Sequence, residues 1–397
     1  MQNLYKKIPD DIYIFNVRDT PILGTINCTY NIRTIKDYVK LIGNNFELYS
    51  QFDMLLDNRY IESSHIYEIK TLGKHEVIFI LYQDLNMDYL FEGVEDLIYV
   101  DMKSNNNCRI TSMSHTFEEA YNLYQFNIIG FSGDKIRSME NLFNYAIRLY
   151  YCSFNNFDTK NLEDISYIFA RTNITNSPLN DLNTSKVKYM SHLFYNCRNL
   201  RTFNNERIET SKVKDMSNMF DRCTRLKDIS LNNFNTKEVQ NMAGMFQYCG
   251  ELKFLDLENF DFSKVTDISF MFSYCANLKS INFGSISTKT IENMSHLFLG
   301  CVSLESIDLR IFNAENVKNM SYMFSLCSSL SEINVSTFNT SKVEDKEGMF
   351  DFCSELTSLN LRTFNTSQVK NMDKMFYNLY LMSLDLSIVL ILQKSFI

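Results

Sequence analysis

The sequence predicts a solenoid of the α/β class, strand-and-helix rungs stacked one on the next, headed by a small α+β unit. Three observations carry this. A phenylalanine recurs at Phe117, Phe143, Phe169, Phe194, Phe220, Phe246, Phe272, Phe298, Phe324, Phe350 and Phe376, every step being 26 residues except one of 25 between Phe169 and Phe194. A period of about 20 to 50 residues marks a stacked repeat architecture. Within each period a strand-like half is followed by a half with helical spacing. Finally, 45% of the residues are apolar while only 3 Pro and 11 Gly occur, which gives material for a continuous core and little for flexible linkers. A chain of 397 residues would otherwise suggest roughly two or three globular domains. A one-dimensional stack is exempt from that count.

The repeat from Cys223 to Phe246 shows the logic. Leu226, Ile229 and Leu231 form L-x-x-I-x-L, whose last residues alternate as in a half-buried strand. Val239, Met242, Met245 and Phe246 follow at i, i+3, i+6 and i+7, one face of a helix or of tight helical turns. Thr236 precedes them by three residues, as Thr210, Thr288, Thr340 and Thr366 do elsewhere, where a hydroxyl can cap free amides. One such unit cannot bury its own apolar face, so copies must stack. The register runs from Leu97, Val100 and Met102 to Leu381, Leu384 and Leu386, which sets the solenoid at 96–386. Residues 172–184 lose one residue and carry Pro178, so a local kink is expected there.

Residues 1–95 lack the repeat. Ile12 to Val17 and Ile22 to Cys28 read as strands, Thr34 to Ile42 has helical spacing, Phe46 to Gln51 is a short strand and Glu76 to Tyr82 a strong one. Residues 387–397 form an apolar tail, SIVLILQKSFI.

Ten cysteines occur, seven of them on the repeat clock at Cys197, Cys223, Cys249, Cys275, Cys301, Cys327 and Cys353. Spread one per rung, they lack the C-x-x-C pairs of zinc sites and read as a ladder of small buried thiols. His115, His192 and His296 share one slot after Met-Ser. At about 5 Å per stacked strand, His192 and His296 lie on the order of 20 Å apart, too far to share a metal. No phosphate loop, nucleophile elbow or dinucleotide fingerprint is present. No catalytic residue, metal or cofactor is therefore assigned, and an enzyme with an unrecognised site is the weakest of three functional readings.

The unit C-x-x-L-x-x-L-x-L-x-x-F-x-T-S-x-V-x-x-M-S-x-M-F, well shown by Cys327 to Phe350 and Cys353 to Phe376, resembles the BspA-type leucine-rich repeat. The resemblance covers about residues 97–386. It implies a leucine-rich-repeat-like solenoid, and for many bacterial members a surface protein that binds host or matrix proteins. In the N-terminal part, Leu56, Asp57, Arg59, Ile61 and Ile66 before a final apolar strand resemble the ubiquitin-like β-grasp fold. The alternative is an unrelated α+β cap on the open end of the solenoid.

The start MQNLYKKIPDDIYIFNV has no apolar core of about 7 to 15 residues, so no secretory signal is expected. No run of roughly 18 apolar residues occurs, so no membrane span is expected. An intracellular setting is the first expectation and the cell surface the alternative. With a net charge of −8, nucleic acid is not an expected partner.

A protein partner is expected on the strand face. Four residues after successive ladder cysteines come Arg201, Lys227, Lys253 and Lys279, and the stripe ends at Glu305. One step on, Phe254 is the apolar member of an otherwise polar column that includes Thr202, Asp228 and Ser280. Like charges at about one strand spacing beside an exposed aromatic suit an acidic segment of a partner. The apolar C-terminal edge is the second candidate, for self-association. The expected function is thus non-catalytic protein binding, as an intracellular adaptor or, alternatively, a surface adhesin.

Overall fold

The computed structural model describes residues 20–105, 108–204, 206–284 and 287–386, together with the backbone of two short strands, Tyr5–Lys7 and Tyr13–Phe15. The apolar tail at 387–397 lies outside the described residues.

The stack is present and the apolar columns are buried as the period requires: Cys223, Leu226, Val239, Met242, Met245 and Phe246 are all fully buried. Phenylalanines of successive rungs lie ring on ring, Phe220 5.8 Å from Phe246 and Phe246 6.1 Å from Phe272. The column has one member more than the spacing count gave. Phe91 stacks on Phe117 at 5.3 Å, where another 26-residue step places it.

The helical half of each rung is not helical, which corrects the α/β class to a β-solenoid. Among the described residues the only helices are two 3-10 turns, Tyr49–Gln51 and Leu179–Asp181. The reason lies in the backbone. Asn218 and Arg222 have φ of 54° and 62°, and the same two slots are left-handed in rung after rung. An α-helix sends every N–H to the carbonyl four residues back. Here alternate N–H groups leave the rung. Met216, Asn218, Phe220 and Arg222 donate to the carbonyls of Asn241, Ala243, Met245 and Gln247 at 2.8–3.0 Å. The intervening amides of Met219, Asp221 and Cys223 close three-residue turns at 3.0–3.3 Å. Such turns satisfy the same apolar spacing that suggested a helix. A left-handed residue other than glycine is disfavoured by about 1–2 kcal/mol, and the hydrogen bonds to the next rung offset it. Gly244 and Gly348 fill the Asn218 slot, and Gly300 the Arg222 slot, without that penalty.

The threonines are likewise not caps within their own rung. Thr236 Oγ1 donates to Asp261 O at 3.1 Å and accepts from Asp261 N at 2.6 Å, in the following rung. Thr210 and Thr340 do the same with Asn235 and Asn365.

On the turn side, parallel bridges run unbroken from Ser138 to Asn371. On the strand side, pairing comes in doublets: Thr202–Asn204 with Asp228–Ser230, Phe254–Asp256 with Ser280–Asn282, and Ser306–Asp308 with Glu332–Asn334. Between these doublets no strand pairing is formed among the described residues. The irregular rung at 172–184 has no strand and carries the 3-10 turn after Pro178.

At the N-terminal end the strand Leu97–Ser104 pairs in parallel with Gln125–Ile129 on one side and antiparallel with Gly24–Ile32 on the other. Gly24–Ile32 then pairs with Gly73–Leu81, and that with Phe52–Leu56. One seven-stranded sheet therefore crosses from the solenoid into the N-terminal part and covers the edge of its first strand. The helix expected over 34–42 is absent. Val39–Lys40 is a strand paired with Ile66–Tyr67, and Tyr30 Oη donates to Leu41 O at 2.7 Å. Ile35, which a helix would place beside Val39 and Ile42, is 70% exposed. The α element on which the ubiquitin-like expectation depends is thus missing among the described residues. Leu56 and Arg59 instead close a hairpin across Asp57 and Asn58, both with positive φ, as the mirror-image hairpin turn demands.

Candidate protein-binding face

In each doublet the three-residue strands present alternate side chains to solvent, and the stripe residues Arg201, Lys227, Lys253 and Lys279 are all exposed. They are in register. Lys227 N donates to Arg201 O and Lys279 N to Lys253 O, both at 2.9 Å. A groove of about 1090 Å³ lies between the doublets, where Asp228–Ser230 and Phe254–Asp256 do not pair with each other. Lys227, Lys253 and Phe254 line it, with Thr202, Asn204 and Asn277. Arg201 and Lys279 flank it on the same column without lining it. Phe254 is 54% exposed.

The charge of the groove is mixed. Asp228 and Glu251 also line it, and Glu251 Oε2 lies 3.0 Å from Lys227 Nζ. Both partners are solvated, so the pair is worth little energy, and with Asp228 the Glu251 carboxylate balances the formal charge of the two lysines that line the groove. Lys253 and Lys279 have no ion-pair partner among the described residues. Sequence columns could not show Glu251, which stands two residues before Lys253 and points back to the preceding rung.

Sequence reasoning also missed the start of this column. Tyr150 and Tyr124 occupy the Arg201 slot two and three rungs earlier. The chain ladder fixes this, since Tyr150 N donates to Tyr124 O and Arg201 N to Thr175 O. Tyr124 and Tyr150 stack at 5.7 Å, Tyr99 meets Tyr124 edge-on at 6.1 Å, and Lys74 Nζ sits 5.7 Å from the Tyr99 ring.

The other candidate chemistry dissolves into structure. All ten cysteines are free and buried. The ladder thiols donate to the phenylalanine carbonyl of the preceding rung, Cys275 Sγ to Phe246 O and Cys301 Sγ to Phe272 O at 3.1 Å each. Burial pushes the Cys275 thiol up to about 12, so it is not the thiolate that nucleophilic chemistry needs. The slot histidines stack on aromatics, His192 on Tyr167 and His296 on Phe270, each at 4.3 Å. Burial lowers the pKa of both. His115 is held the other way, its pKa raised by Glu118 Oε2 at 2.5 Å from Nδ1. No cluster of three or more metal-binding side chains occurs among the described residues. None of their helices is long and apolar enough to cross a membrane.

A family model described as "Mycoplasma protein of unknown function, DUF285" matches residues 85–206, 190–301 and 276–388. The chain belongs to the DUF285 family. The DUF285 match begins at residue 85, the rung of Phe91, in keeping with the extra ring in the column. Among curated proteins no sequence matches. Among solved structures, the DUF285 solenoid is similar to a leucine-rich repeat protein from Eubacterium ventriosum, with 14% identity over 71% of this chain and 90% of the other and a TM-score of 0.39. It is also similar to a leucine rich cell surface protein from Faecalibacterium prausnitzii, with 14% identity over 70% and 83% and a TM-score of 0.24.

Proposed function

We propose that this DUF285 chain is a non-catalytic protein-binding scaffold, and that it takes an acidic segment with an apolar side chain into the groove around Lys227, Lys253 and Phe254. The observation that carries this is the exposed phenylalanine at the wall of a groove between two unpaired strand edges, beside an unpaired lysine. Exposed aromatics in a concave polar surrounding are the usual anchors of protein interfaces. An intracellular adaptor role fits the ten buried thiols, which need reduced sulfur to donate their hydrogen bonds. The N-terminal sheet serves in this reading as the cap of the solenoid.

Selection of a displayed random-peptide library on the full chain tests it. Enriched peptides are expected to carry Asp or Glu near an apolar residue, and to lose binding to a Lys253→Glu/Phe254→Ala variant of unchanged melting temperature. Retained binding by that variant overturns the reading. Surface protease treatment of intact cells decides the setting: an adaptor is protected, a surface adhesin is cleaved.

A second contact is supported at the C-terminal end. Met382 is 89% exposed beside the last described strand. We read this end as a self-association edge. Light scattering at rising concentration should show dimers that Met382→Glu abolishes; a monomer throughout refutes it.

A further inference from the structure

The tyrosine column on the strand face stops abruptly. Tyr124 and Tyr150 stack on successive rungs, and Tyr99, in the neighbouring slot opposite Gln125, meets Tyr124 edge-on. The next slot falls at residues 174–175, between Asn173, whose N donates to Leu149 O, and the Arg201 N to Thr175 O bond, in the irregular rung that has no strand. On that side of Tyr150, away from Tyr124, lies a cavity of about 250 Å³. Tyr150 and Tyr151 form one wall, and both remain about half exposed, at 46% and 48%. Ile174 and Pro178 add apolar surface, and Asn176 and Asn180 stand at the rim. The irregular rung is held in place by Asp181, whose Oδ2 accepts from Phe154 N at 3.3 Å.

We propose that this cavity is a binding site for one aromatic side chain of a protein partner, which extends the stack of Tyr124 and Tyr150 by one ring. Three features favour that occupant. Its volume lies below the range of about 300–1,000 Å³ typical of drug-sized ligands, so it suits a single ring. The wall offers a tyrosine face with a second ring already stacked behind it, and aromatic pairs gain about 0.5–1.5 kcal/mol beyond area burial. The rim supplies amides that can bond the partner's backbone, since the side-chain NH2 groups of Asn176 and Asn180 donate to no protein group among the described residues. No lysine or arginine lines the cavity and Asp181 does, which disfavours a nucleobase with its phosphate. The site rests on the scaffold reading above but not on its basic groove.

Saturation-transfer NMR on the full chain tests the proposal with three probes: N-acetyl-L-tyrosine amide, N-acetyl-L-leucine amide and methyl β-D-glucopyranoside. The expected result is transfer to the tyrosine ring alone, lost in Asn176→Trp, which fills the cavity while leaving the stack intact, and in Tyr150→Ala. A Lys227→Glu/Lys253→Glu variant should keep the signal, which separates failure of the groove reading from failure of this one. No transfer to the tyrosine probe, equal transfer to the leucine probe or the sugar, or a signal that survives Asn176→Trp overturns the assignment.

Discussion

Cys249 Sγ donates a hydrogen bond to Phe220 O, one rung back, at 3.1 Å. The same carbonyl accepts Cys223 N at 3.0 Å, so the thiol fills its second lone pair inside the core. This explains why a small donor recurs every 26 residues rather than a purely apolar group.

Replacing Cys249 with Ala should therefore cost about 1–2 kcal/mol, from a lost hydrogen bond and a small void, read by urea denaturation. In the native protein none of the ten buried thiols should react readily with iodoacetamide at pH 8. All ten should react in denaturant. Fast labelling of a ladder cysteine in the folded chain would contradict the assignment.

Lys346 lies fully buried in the core column that Met320 and Met372 occupy in the neighbouring rungs. Its Nζ donates to Asn365 O at 3.1 Å, and burial lowers its pKa from 10.5 to about 7. Between those values the unfolded chain holds a proton that the folded chain lacks, so stability rises with pH across that window. Lys346→Met should stabilise the protein most at pH 6. Its advantage should shrink by about 1.4 kcal/mol per pH unit above 7. Parallel pH profiles for the two proteins would refute this.

Asp221 is the opposite case. Burial pushes its carboxyl up from 3.8 to about 7, and Oδ1 has no hydrogen-bond partner among the described residues. Here the folded chain holds the extra proton, so stability falls as pH rises from about 4 to 7. The equivalent slot is Ser273 or Ser325 two and four rungs on. Asp221→Ser should stabilise the chain by roughly 1–3 kcal/mol at pH 8, with the gain lost at pH 4.

Phe246 sits between Phe220 and Phe272 in the ring column. Phe246→Ala should cost about 3–5 kcal/mol. In a stack whose rungs touch only their neighbours the damage should stay local. Hydrogen exchange should rise in the rungs of Phe220, Phe246 and Phe272 and stay unchanged near Phe117. Uniform loss of protection would show a more cooperative stack.

Much of this molecule was legible without coordinates. The 26-residue step named the ring column from Phe117 to Phe376, and the clocked cysteines were read as buried thiols. The step also reaches Phe91, but its rung lacks the V-x-x-M signal, since Asp84 stands in the Val slot. Of the binding face, the column of Lys227, Lys253 and Phe254 could be read from spacing. The opposing Glu251 and the stacked Tyr124 and Tyr150 could not.

By itself, then, the sequence determined the repeat, its apolar columns and which residues of each rung meet their counterparts, because burial follows periodicity. Only the tertiary structure decided that the second half of each rung is a string of turns rather than a helix. There the amides of Met216, Asn218 and Phe220 bond to carbonyls 25 residues away, and no local pattern distinguishes that partner from one four residues back. The same holds for the segment at 34–42, extended because Tyr30 and Ile66–Tyr67 claim its backbone. It holds too for the groove and the cavity, which exist where the strand ladder is interrupted.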